Sequence, residues 1–120
     1  MATKKILVID DEADVRTFLT AVLKRNGYET VTAANGLEAL EVAREHKPDL
    51  ITLDLMMPNK SGTDFYRNLA KDEELAKIPV IVISGTPGRH LAIKEPVAVF
   101  DKPINPIDFM DAVWRGLGEE

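Results

Sequence analysis

The chain has 120 residues, 45% hydrophobic and 29% charged, which suits one domain with a real core. A net charge of −5 argues against nucleic-acid binding by the domain itself, and the lack of cysteine excludes disulfides and thiolate metal sites. The apolar stretches are strand-sized, so no membrane span is expected; the residues before the first are too few for a signal peptide, and a cytoplasmic protein is the expectation.

Strand and helix alternate five times along the chain. Lys5–Ile9 is short, β-branched and continuously apolar, which predicts a buried strand. Ala13–Asn26 predicts a helix, with Val15, Phe18, Leu19, Val22 and Leu23 on one face and Gly27 as its stop. Tyr28–Ala33 reads as an edge strand. Asn35-Gly36 opens a helix through about His46, and Lys47-Pro48 ends it. Asp49–Leu53 is the expected central strand. Met56–Gly62 reads as a loop, Thr63–Lys71 as a short helix and Pro79–Ile83 as the fourth strand.

The connection Gly85–Pro96 has two glycines and two prolines, so the fourth helix is expected to be short or irregular, within about Arg89–Lys94. Val97–Phe100 is the fifth strand. Asn105 with Pro106 predicts an N-cap and first helical residue, and the last helix runs to about Gly116 with Ile107, Met110, Val113 and Trp114 inward. Strands separated by such helices imply right-handed crossovers and a parallel sheet covered on both faces. Ligands in such sheets bind beyond the carboxyl ends of the strands.

Those ends carry Asp10-Asp11-Glu12, Asp54, Ser84 and Lys102-Pro103. Each has an ordinary structural reading: helix cap, turn residue, loop hydroxyl, solvated surface charge. Together they make an inventory for a divalent cation and a phosphoryl group. Crowded carboxylates repel unless a cation joins them, and magnesium takes oxygen ligands. Asp54 is the candidate nucleophile, with Ser84 and Lys102 as partners for the phosphoryl oxygens. His46 and His90 lack ligand-like spacing and read as surface residues.

This constellation resembles the receiver domain of bacterial two-component response regulators, on Ile6–Glu12, Asn35–Leu40, Pro48–Pro58, Gly62, Pro79–Gly85 and Lys102-Pro103. The resemblance implies a flavodoxin-like three-layer α/β sandwich with a five-stranded parallel sheet in the order 2-1-3-4-5. It implies that Asp54 accepts phosphate from a sensor histidine kinase or phosphotransfer protein. Magnesium, with manganese as an alternative ion, would be bound by Asp11, Asp54 and the Met56 carbonyl, with Asp10 acting through water. Ser84 is then the switch hydroxyl, Lys102 the phosphate-bridging lysine and Gly85 the small neighbour that leaves the phosphoryl path open. The kinase is expected to dock on Ala13, Asp14, Arg16 and Thr17 together with Ile104, Asn105 and Pro106.

Two departures concern output. The position three before the lysine, aromatic in much of the family, is Val99; Phe100 should face the other side of the sheet. The interval from Ser84 to Lys102 is short by about four residues, roughly one helical turn. Ordering of segment 85–96 is therefore the expected switch, in a monomer that signals to an unknown downstream protein with no direct nucleic-acid or membrane contact. Residues 1–120 are expected to be one receiver domain without an output domain. Two other functions compete. An aspartate-nucleophile phosphatase would need a second acid at position 56, which is Met56. A degenerate receiver, a constitutive protein-binding module, would not need its site residues intact.

Overall fold

Short apolar runs pair into one sheet in the computed structural model, which describes residues 3–58, 61–83 and 95–119. The strands are β1 (Lys5–Ile9), β2 (Glu29–Ala33), β3 (Leu50–Asp54), β4 (Val80–Ile83) and β5 (Ala98–Phe100). All pairings are parallel and the order is β2-β1-β3-β4-β5, the flavodoxin-like order expected. The described helices are α1 (Ala13–Arg25), α2 (Gly36–His46), α3 (Ser61–Lys71) and α4 (Pro106–Leu117). None is long and apolar enough to cross a membrane.

Because side chains alternate across a strand, each of the three inner strands β1, β3 and β4 feeds two cores. Leu7, Ile9, Ile51, Leu53 and Val82 pack on one face with Ala39 and Ala43 of α2 and Phe65 and Leu69 of α3. Ile6, Val8, Leu50, Ile81 and Ile83 pack on the other with Leu19 and Leu23 of α1 and Phe109 and Val113 of α4. The same parity places Asp10, Asp54 and Lys102 at or just past the carboxyl ends of their strands on the α1–α4 side.

Local chemistry sets the helix ends. Asn35 accepts a hydrogen bond from the Glu38 amide at 2.8 Å, and Asn105 accepts from those of Ile107 and Asp108 at 2.9 and 3.1 Å. Gly27 follows α1 at φ +89°, a conformation that favours glycine.

Two helix faces differ from expectation. In α4 the inward residues are Phe109, Met110, Ala112 and Val113, while Ile107 is 78% and Trp114 37% exposed. The stripe starts at Phe109, whose large apolar side chain sets the rotation of the helix about its axis. In α1, Leu19, Val22 and Leu23 are buried, but Phe18 is 41% exposed. α3 begins at Ser61 rather than Thr63, because the Ser61 hydroxyl accepts a hydrogen bond from the Gly36 amide and ties the two helix starts together. The expected fourth helix, with Arg89 and His90, and the residues Ser84 and Gly85 lie outside the described residues.

Candidate functional site

Asp10 follows β1 and is fully buried. Its Oδ1 accepts from the Glu12 amide at 2.9 Å, and its carbonyl accepts from Arg16 Nη1 at 2.7 Å. Asp54 ends β3 and is also fully buried. Its Oδ1 accepts from the Met56 amide at 2.7 Å. Its backbone is pressed by α3: a Cβ on Gly62 would lie 2.5 Å from the Asp54 carbonyl oxygen. Only glycine lets the helix start come so close.

Lys102 follows β5, its peptide bond to Pro103 being cis. Its Nζ reaches three carboxylates: Glu12 Oε1 at 2.9 Å, Asp10 Oδ2 at 3.3 Å and Asp54 Oδ2 at 3.4 Å. Burial works against its charge, but the Glu12 hydrogen bond and the Asp54 and Asp10 charges outweigh that and hold its pKa above the ordinary lysine range. Burial pushes the Asp54 carboxyl up from 3.8 to about 6, with the Asp10 charge adding to it; the Met56 amide and Lys102 offset only part.

The acidic side of the site fits a hard cation. The carboxylates of Asp10, Asp11 and Glu12 lie within 4.8 Å of one another. Asp10 Oδ2 is buried without a hydrogen bond among the described residues, its approach to Lys102 being an ion pair without hydrogen-bond geometry. A buried carboxylate oxygen without a hydrogen-bond donor among the described residues, beside an exposed Asp11, has the chemistry that an oxygen-seeking ion would suit.

The sequence-predicted residues thus separate into groups. Asp10, Asp54 and Lys102 are brought together, Asp11 stands beside them, and Met56 supplies an amide hydrogen bond to Asp54 while its side chain is 45% exposed. Val99 is 40% exposed on β5, whereas Phe100 turns to the opposite face and meets Phe109 edge-on at 6.3 Å. Of the residues expected to dock a kinase, Ala13, Asp14, Thr17, Asn105 and Pro106 are exposed, Arg16 is tied to the Asp10 carbonyl and Ile104 is 8% exposed. Between α1 and the segment after Lys102 lies a groove of about 680 Å³, lined by Val15, Phe18, Pro103, Ile104 and Pro106. Sequence reasoning missed the Glu12 contact with Lys102; 90 positions separate the two, and adjacency to Asp10-Asp11 was its only signal.

Comparison with known proteins gives a consistent result. The profile of the response regulator receiver domain matches residues 6–113. The chain is 35% identical over 121 residues to the polar-differentiation response regulator DivK of Brucella ovis, covering 98% of both. It superposes on the chemotaxis response regulator CheY4 of Vibrio cholerae with a TM-score of 0.87 at 28% identity, over 97% of this chain and 100% of that one. The receiver domain of a sensor histidine kinase from Pseudomonas aeruginosa PAO1, which has a magnesium ion coordinated in its active site cleft, shares the fold with a TM-score of 0.87 at 21% identity, over 98% and 99%. With its parallel sheet, buried aspartates and strand-end lysine, the chain belongs to the family of response regulator receiver domains.

Proposed function

We propose that this receiver domain is a phosphoacceptor switch in which Asp54 takes a phosphoryl group from a sensor histidine kinase or phosphotransfer protein. The observation that carries the reading is the environment of Asp54, a fully buried carboxylate facing the Lys102 ammonium at 3.4 Å beside an acidic cluster. One carboxylate oxygen is fixed by the Met56 amide, which leaves the other facing the Lys102 ammonium. Lys102 supplies positive charge where negative charge gathers on the phosphoryl oxygens.

Asp10, Asp11, Asp54 and the Met56 carbonyl are the ligands proposed for magnesium or manganese. The ion, when bound, neutralises charge on the transferring phosphoryl group. The Ser84 hydroxyl, adjoined by Gly85, is the proposed third partner of the phosphoryl group and the start of the output change, with Val99 in the place of an aromatic. The new charge and acceptor oxygens then bias the surface that a downstream protein reads. The chain acts on itself only, by accepting the phosphoryl group and losing it to water, and works as a cytoplasmic monomer.

Kinase docking is assigned to the groove beside α1, lined in part by the exposed Asp14 and Pro106, together with the exposed Ala13 and Thr17 of the same helix. Incubation with magnesium and acetyl phosphate should add one alkali-labile phosphoryl mass to the wild type and none to Asp54→Asn. Gain on both, or on neither, refutes the assignment.

A further inference from the structure

Lys102 is held by a residue for which the phosphoacceptor reading gives no role. Its shortest contact is Glu12 Oε1 at 2.9 Å, against 3.3 and 3.4 Å to the buried Asp10 and Asp54. The Glu12 side chain is 59% exposed. Glu12 also occupies the N-cap of α1, where its carboxylate could have met a free helix amide. It makes no such bond. Its carboxylate meets the lysine instead.

We propose that Glu12 is a displaceable counter-ion that holds Lys102 away from an incoming phosphoryl group and so slows phosphorylation of Asp54, an inference that rests on the phosphoacceptor reading. In transfer from acetyl phosphate, an Asp54 oxygen attacks phosphorus, the bond from phosphorus to the bridging oxygen breaks, and acetate leaves with the electron pair. No proton needs to move. The ammonium must meanwhile turn from a carboxylate to a phosphoryl oxygen.

Asp10 and Asp54 sit at strand ends, each with Oδ1 bound to a backbone amide. The Glu12 carboxylate has no hydrogen-bond partner besides Lys102 among the described residues. It is therefore the partner given up. Glu12 acts through Lys102 and is a positioning residue, not a catalytic one.

The test is the initial rate of phosphorylation by acetyl phosphate in saturating magnesium. A half-exposed ion pair contributes little, so releasing it should speed Glu12→Gln by roughly two- to fivefold. Glu12→Asp keeps the charge but shortens the reach, and should also be faster. Asp101→Asn removes an equal charge one residue from Lys102, at a side chain with no ion pair among the described residues, and should not change the rate. In a Lys102→Ala background, Glu12→Gln should lose its effect.

An equal rise in Asp101→Asn would reduce the effect to a general field and overturn the proposal. So would unchanged or slower transfer in Glu12→Gln, or weaker magnesium binding in it, which would make Glu12 a metal ligand. A wild type that gains no phosphoryl group at all overturns the phosphoacceptor reading first, a result distinct from equal rates in wild type and variant.

Discussion

Asp54→Asn should stabilise the protein while removing its phosphoacceptor. A carboxyl whose pKa is pushed from 3.8 to about 6 opposes folding once ionised, by about 3 kcal/mol as an upper bound. Asparagine keeps an oxygen for the Met56 amide but turns an NH2 group toward Lys102, 3.4 Å away, which removes part of the gain. The expected net gain is about 1–2 kcal/mol. The folded state holds this proton more tightly than the unfolded chain, so wild-type stability falls as pH rises from about 4 to about 6 and stays low above that. The variant lacks this fall. Urea unfolding in EDTA should therefore give nearly equal stabilities at pH 4 and an advantage for Asp54→Asn at pH 7.5. A loss of several kcal/mol in the variant, or a difference that ignores pH, would refute the crowded-carboxylate argument.

Magnesium should raise the wild-type melting temperature in proportion to ligand excess and raise that of Asp54→Asn less; scanning calorimetry at millimolar magnesium with no rise would contradict the metal assignment. Thr52 is buried, and its hydroxyl has no hydrogen-bond partner among the described residues, so Thr52→Val should stabilise by about 1 kcal/mol in urea titrations, and a loss would indicate a partner for the hydroxyl. Gly62→Ala should cost about 2 kcal/mol or more and slow phosphorylation, since its Cβ would meet the Asp54 carbonyl oxygen at 2.5 Å; unaltered stability and rate would show that α3 can shift freely. Amide exchange with beryllofluoride should show rising protection in residues 85–96 without dimerisation, and a stable activated dimer would point to a different output.

The strands were legible because all but the edge strand β2 are short, largely apolar runs, and their length and flanking turn residues tell them from buried helix segments. The site was legible for the same reason: Asp10, Asp54 and Lys102 each terminate or follow such a run, and sheet parity does the rest. Helix faces were less legible. Ile107 and Trp114 fit the helical period of α4 as well as Met110 and Val113 do, and only packing of Phe109 against Phe100 decides between the two rotations. Long-range pairings such as Lys102 with Glu12 leave no periodic trace, because they join residues from opposite ends of the chain. The boundary of α3 was missed because Ser61 is fixed from outside by Gly36, a contact that local propensity does not encode.

The central claim is that Asp54, and no other carboxylate, carries the phosphoryl group. Borohydride reduction of the protein after reaction with acetyl phosphate and magnesium converts an aspartyl phosphate to homoserine, which peptide mass spectrometry can place. The account predicts homoserine at position 54 alone, with none in the Asp54→Asn variant. Homoserine at position 10 or 11, or a phosphoryl group that resists reduction and alkali, would contradict it.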